Sequence, residues 1–195
     1  TDIFASNINI SNYKEFNQII DATNYLTTAG FIDVHSHSDL QALNTFEISP
    51  KILQGITTEI VGNCGLSVAP VSKKNRNAWR RLYKSIWGNE HINWNWTDTK
   101  SYLEIVNTVA DNTIETLIGY STIRFNVTGL SSKKLTNDEL KKIEYIICEN
   151  LEQGACGVSL GIGYPPNIYA AKEEYILIGK LLKKYDKILT AHIRD

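Results

Sequence analysis

Residues 30–40 read GFIDVHSHSDL, a short apolar run, Phe31-Ile32-Asp33-Val34, that ends in His35-Ser36-His37. In an extended chain, side chains two apart project to the same side. Both imidazoles can therefore reach one ion while Ser36 turns the other way. Two histidines at this spacing are by themselves more often incidental than metal-binding. Their place strengthens the metal reading, because they follow a strand-like run and precede Asp39. Ligands of parallel α/β folds gather at the carboxyl ends of strands.

Outward from that stretch, short apolar strands alternate with helices. The strand candidates are FIDV (31–34), TTEIVG (57–62), TLIGY (116–120), GVSLG (157–161) and ILTAH (188–192), rich in Val, Ile and Thr. The clearest helix is residues 137–153, where Thr136 and Glu139 form a capping box and Gly154 supplies the stop. Its residues Leu140, Ile143, Ile146, Ile147 and Leu151 share one face. Further helices are expected over 172–185 and around 99–109, and a weak first crossover over 49–55. Repeated strand–helix–strand units imply parallel strands with right-handed crossovers, buried on both faces. A doubly wound sheet and a (β/α)₈ barrel both fit this pattern. Residues 75–96 form a long excursion that carries all four tryptophans. It reads as a packed helix and loop, or as the wall of a substrate cleft.

The composition narrows the function. In 195 residues, 43% hydrophobic, 20 basic side chains face 21 acidic ones, for a net charge of -1. That is enough chain for one sizeable core. It offers no basic excess for nucleic acid or an anionic membrane. No apolar run is long enough to span a bilayer, and the opening residues do not read as a signal peptide, so a cytoplasmic location is expected. No phosphate-binding glycine motif follows any strand. The chain lacks methionine and stops at HIRD, just after a strand, so it reads as a piece of a longer protein.

Two more ligand candidates stand at strand exits. Cys64 lies between Asn63 and Gly65 in the turn after the second strand, and His192 ends the fifth. A thiolate and an imidazole are good zinc ligands. Each alone has an ordinary packing or hydrogen-bonding explanation; coincidence at three strand exits is far less common than at one. Cys148 and Cys156 read as small packed side chains. Asp33 shares the histidines' face and is a candidate to orient one of them, Asp39 a candidate to hold the loop, and Arg194 lies near any site at His192.

The stretches AGFIDVHSHSD, LQGITTEIVGNCGLSVAP, WNWTDTKSYLE, LEQGACGVSLGIGYPP and TAHIRD together resemble the N-acyl-D-amino-acid deacylases (D-aminoacylases) of the amidohydrolase superfamily. The resemblance implies a partial metal-dependent-hydrolase (β/α)₈ (TIM) barrel, strands one to five, over residues 31–195, with residues 1–30 the edge of a flanking β-sandwich. It implies one tight Zn²⁺ position, served by Cys64 and His192, and a second, weaker one, served by His35 and His37. The remaining histidine ligand and the general-base aspartate are expected beyond residue 195. Many members of the wider superfamily use a bridging carboxylated lysine after strand four; GVSLGIGYPP has none, which fits the cysteine-using branch. Tyr164 of the YPP element is implied to touch substrate and donate to the developing oxyanion. Tyr120 stands where the family usually has histidine, and with Arg124 is expected to line the mouth. The implied partner is a small N-acylated D-amino acid, hydrolysed at its amide. Cyclic-amide hydrolysis of the hydantoinase or dihydroorotase kind, and an inactive barrel kept for binding, are the alternatives. Five strands cannot close an eight-stranded barrel, so residues 1–195 alone are expected to fold poorly and lack activity.

Overall fold

A computed structural model describes residues 20–44, 49–88 and 92–194. Strands β1 (Phe31–Asp33), β2 (Ile56–Val61), β3 (Thr113–Gly119), β4 (Gly157–Gly161) and β5 (Ile188–His192) form one sheet in the order β1-β2-β3-β4-β5. Every neighbouring pair is parallel. This order resolves the choice left open by the strand pattern. A doubly wound sheet reverses its direction of growth at a switch point. Here each strand is added on the same side of the last, as in part of a (β/α)₈ barrel.

The connections are α1 (Arg76–Leu82), α2 (Lys84–Trp87), α3 (Thr99–Val109), α4 (Tyr120–Thr128), α5 (Asn137–Glu152) and α6 (Lys172–Tyr185). The capping box at Thr136 and Glu139 is formed, and Asp98 caps α3 by accepting from the Ser101 N–H. The weak first crossover is a short 3-10 turn, Ile52–Gln54. Tyr120, expected to end a strand, instead begins α4. Gly119 is the cap, and it offers no side-chain capping group that would announce a helix. The expected sandwich edge falls largely on residues outside the described ones, and residues 20–30 contain no strand.

Two apolar clusters cover the helix side of the sheet. One gathers Val61, Ile114, Tyr102, Val106 and Phe125 around all four tryptophans. The indole N–H groups of Trp79 and Trp96 donate to the carbonyls of Ser67 and Val68, at 3.1 and 3.0 Å. The excursion is thereby fastened to the segment just after Cys64. The second cluster packs Ile118, Val158 and Leu160 against Ile143, Ile147, Ile178 and Leu182. All of β4 is buried. β1 and β5, expected to be buried on both faces, are not: Phe31 and Ile32 are 60% and 61% exposed, and Ile188 and Leu189 48% and 51%. They are the two edges of the sheet, each with one neighbour. Among the described residues no helix is long and apolar enough to cross a membrane.

The second cluster encloses a buried ion pair. Arg124 Nε meets Glu174 Oε2 at 3.1 Å, with both side chains essentially unexposed. The guanidinium also donates to the carbonyls of Ser131 and Lys133, at 2.9 and 3.0 Å. Glu174 accepts the Tyr120 hydroxyl and the Ala171 N–H at the start of α6. Burial, then the neighbouring carboxylate, hold the Tyr120 phenol well above its ordinary value, so it remains a donor. Breaking such a pair strands a buried charge. Glu174→Ala is expected to lower unfolding stability by about 3–5 kcal/mol, and a volume-matched apolar replacement of both partners by much less. Denaturant unfolding of the two variants checks this; equal losses would contradict it.

Candidate metal centre

The centre is built on the turn Gly62-Asn63-Cys64-Gly65 at the carboxyl end of β2. Gly62 and Gly65 have φ of 75°, and Cys64 itself has φ of 56°. A left-handed backbone is uncommon for a residue with a Cβ and costs about 1–2 kcal/mol. It persists only where surrounding contacts hold it, and here every strand exit supplies one. From β1, the Asp39 carboxylate accepts the Gly62 N–H at 3.1 Å and the Val34 carbonyl accepts from the Asn63 amide at 3.4 Å. Asn63 also donates to the Ile60 carbonyl at 2.9 Å. Beyond β3, the Ser121 N–H donates to the Gly65 carbonyl at 2.9 Å. From β4, the Ser159 hydroxyl donates to the Gly62 carbonyl and accepts the Gly65 N–H. From β5, the Thr190 hydroxyl meets Asn63 Oδ1 at 3.4 Å. A Cβ on Gly161 would lie 2.1 Å from the Cys64 carbonyl oxygen, so only glycine lets β4 end beneath this turn.

The turn presents the thiol to three histidines. Cys64 Sγ lies 3.3 Å from His35 Nε2 and 3.6 Å from His192 Nδ1. One donor atom from each of His35, His37 and Cys64 falls within 4.8 Å of the others. No other such trio of His, Cys, Asp or Glu occurs among the described residues. A thiolate at about 2.3 Å and an imidazole at about 2.0 Å on one tetrahedral zinc stand about 3.5 Å apart, close to both sulfur–nitrogen distances. His37 Nδ1 is buried and has no hydrogen-bond partner among the described residues. Burial, then the charges of His35 and His192, hold its imidazole below the ordinary value, toward the neutral form that binds a metal. The donor set therefore fits a metal ion. Burial pushes the Cys64 thiol up, and a bound cation reverses that preference.

These side chains line a hollow of about 500 Å³ with Leu66, Tyr83, Ile86 and Tyr164. A larger hollow of about 750 Å³, bordered by Lys51, Glu59, Asp111 and Trp96, contains no such group of donors, and the chemistry belongs to the smaller one. The Tyr164 hydroxyl lies 2.8 Å from His192 Nε2. The same hydroxyl lies 3.2 Å from His192 Nδ1, the nitrogen that faces Cys64.

Known proteins share this sequence pattern and fold. Residues 18–138 match the pattern of the amidohydrolase family. The chain belongs to the amidohydrolase family. It is 32% identical over 177 residues to a D-aminoacylase of Alcaligenes xylosoxydans xylosoxydans, covering 90% of this chain and 36% of that protein. It is 33% identical over 179 residues to an N-acyl-D-aspartate deacylase of the same organism, covering 91% and 35%. Among solved structures it resembles an N-acyl-D-glutamate deacylase from Bordetella bronchiseptica, complexed with zinc and a phosphonate mimic of the tetrahedral intermediate. That likeness has a TM-score of 0.73 at 28% identity, covering 86% of this chain and 34% of that one. The chain thus spans about a third of the length of these relatives.

Within this amidohydrolase, the residues singled out from sequence separate into two groups. His35, His37, Cys64, His192 and Tyr164 meet in one hollow. Tyr120 and Arg124, expected at its mouth, do not line it; both are 0% exposed and engage Glu174. Asp33 holds a backbone rather than a ring, since its carboxylate accepts the His35 N–H at 3.1 Å and pairs with Lys51. Asp39 ties the loop to Gly62, and burial pushes its carboxyl up to about 7. Arg194 reaches the carbonyls of Ile162 and Ile168. Cys148 and Cys156 are half-buried. Sequence reasoning missed Gly161, Ser159 and Asn63, which hold the cysteine turn. Tyr83 and Ile86 were within its reach only as part of the tryptophan-rich excursion.

Metal uptake by a buried thiol expels its proton, whereas burial already favours the neutral form of His37. Uptake should release about one proton near neutral pH, with affinity rising about tenfold per pH unit below the thiol's titration. Calorimetry in buffers of different ionisation enthalpy measures this, and proton-neutral uptake would exclude Cys64 as a ligand. Gly161→Ala should displace the Cys64 turn and weaken metal retention about tenfold or more. Chelator competition reads that change, and unchanged retention would show that the turn does not depend on the glycine.

Proposed function

We propose that this chain supplies much of the metal centre of a zinc-dependent hydrolase that cleaves the amide of N-acyl-D-amino acids, releasing a D-amino acid and a carboxylate. The observation that carries the reading is the thiol of Cys64 standing at ligand spacing from both His35 and His192. A single cysteine shared by histidines from two other strand exits suits a relative of the D-aminoacylases. On this reading residues 31–195 are the first half of the barrel and residues 1–30 belong to a flanking sandwich.

Zinc bound here would polarise the scissile carbonyl and lower the pKa of water. The chain's own residues prepare that chemistry. Cys64 and His192 would hold the tighter position and His35 and His37 the looser one, with the Cys64 sulfur within reach of both His35 and His192. Tyr164 fixes the His192 ring through Nε2 and stands where its hydroxyl can turn to a developing oxyanion. No carboxylate lines the hollow among the described residues. Asp33 and Asp39 are both turned to structural partners. The proton acceptor is taken to be an aspartate beyond residue 195, as the resemblance to the D-aminoacylases implies. Leu66, Tyr83 and Ile86 give the hollow an apolar wall, which favours an apolar side chain or acyl group on the substrate.

The test is metal analysis of the intact protein with turnover of three substrates. N-acetyl-D-methionine should be cleaved faster than N-acetyl-D-glutamate, and hydantoin not at all. Hydantoin opening in their place would move the protein to cyclic amides. Bound zinc with no turnover of any of the three would mark a barrel kept for binding. Tyr164→Phe should retain zinc and lower kcat by about 10²–10³-fold, the cost of one oxyanion donor. An unchanged kcat would remove Tyr164 from the mechanism.

A further inference from the structure

β2 carries a residue out of keeping with its surroundings. Glu59 lies two residues before Val61 and so faces the same side of the sheet, toward the helices, where Val61 packs with Ile114 and the tryptophans. Its side chain is 2% exposed. A carboxylate in such a place is costly unless its oxygens are paired. Oε2 accepts the Ser36 hydroxyl at 2.7 Å and the Ser38 hydroxyl at 2.6 Å. Lys51 Nζ stands 3.5 Å from the same oxygen. Oε1 accepts the Asn112 amide at 2.8 Å. Lys51 also pairs with Asp33, which accepts the His35 N–H. Burial pushes the Glu59 carboxyl up, but the hydrogen bonds from Ser38, Asn112 and Ser36 and the charge of Lys51 outweigh it and leave it below the usual range.

Most of these contacts lead back to one segment, His35 to Ser38. The two serines alternate with the two histidines in the segment that follows β1, so holding both hydroxyls together on Glu59 constrains where that segment carries the imidazoles. The two hydroxyls lie 2.8 Å apart, so with an apolar residue at position 59 one could donate to the other but the second would be left without an acceptor. We propose that Glu59 is the positioning residue of the His35 and His37 ligand pair, acting through Ser36 and Ser38 with Asn112 and Lys51 anchoring its carboxylate. The proposal rests on the reading of His35 and His37 as metal ligands. It assigns a task to Ser36, the residue that the alternation turns away from the ion.

The experiment compares the affinity of the weaker zinc position, the one served by His35 and His37, by chelator competition, for the intact wild-type protein, Glu59→Gln, the Ser36→Ala/Ser38→Ala double variant and the Ser36→Thr/Ser38→Thr double variant. Thermal unfolding of the metal-stripped forms is followed in parallel. A residue that only stabilises the fold lowers the stripped protein's stability and leaves the folded protein's affinity unchanged. A positioning residue lowers the affinity. The alanine variant and Glu59→Gln are expected to lose about 10–100-fold in affinity, and the threonine variant, which keeps both hydroxyls, to stay within about threefold of wild type. If the alanine variant does not fold, Glu59→Gln, which keeps the volume and one accepting oxygen, carries the test. Variants that bind zinc as tightly as wild type overturn the clamp while leaving the metal site standing. A wild-type protein that takes up no zinc overturns the metal reading, and the clamp with it.

Discussion

The left-handed turn at Cys64 is the constraint on which the rest of the site depends. It needs glycines on both sides, a glycine beneath it at position 161, and hydrogen bonds from the exits of all five strands. A strained cysteine is held in place by contacts that no single strand could supply. The same contacts fix the spacing of the strand exits and hence of the histidines. Strand register and ligand placement are therefore one problem with one solution. A shift of any strand along its neighbour would break a bond to the turn as well as a ladder pairing.

Around that turn the two sides of the sheet divide the work. The side facing the hollow carries the donor atoms, while the hollow's apolar wall, Leu66, Tyr83 and Ile86, also packs with the tryptophan cluster. The helix side carries the tryptophan cluster, whose indoles donate to the segment following the turn. Into this apolar layer the chain places Glu59, paired on both oxygens, and farther along the Arg124–Glu174 pair. Both are buried charges whose partners come from distant segments. They differ in what they hold: Arg124 and Glu174 join helices to loops, whereas Glu59 faces the ligand-bearing loop.

Much of this was legible in the sequence because the signals were local. The alternation in His35-Ser36-His37 assumes strand geometry; β1 ends at Asp33, before these residues, yet the Ser36 hydroxyl still reaches Glu59. The capping box at Thr136 and the helix over residues 172–185 follow from spacing, and both formed as read. Where local signals were silent, the reading failed. α4 begins at Tyr120 without a capping side chain, so the motif GYSTIR read as a strand end beside a cleft. Its Tyr120 and Arg124 were given a place at the mouth because an isolated tyrosine and arginine cannot announce a buried carboxylate 50 residues away. β1 and β5 read as doubly buried from their apolar content, which does not reveal how many neighbours a strand has.

The sequence by itself determined the parallel α/β class, the ligand types and the family resemblance, since these rest on residue identity and short-range period. Only the tertiary structure decided that the strands follow one another in strict order and that Cys64 stands between His35 and His192 rather than with one of them. It also decided that Glu59, an ordinary acidic residue in the sequence, is a paired charge behind the histidines. The reason is distance along the chain. Cys64 and His192 are 128 residues apart and the sulfur–nitrogen contact is 3.6 Å. No periodicity carries information across that separation; hydrogen bonds between neighbouring strands do.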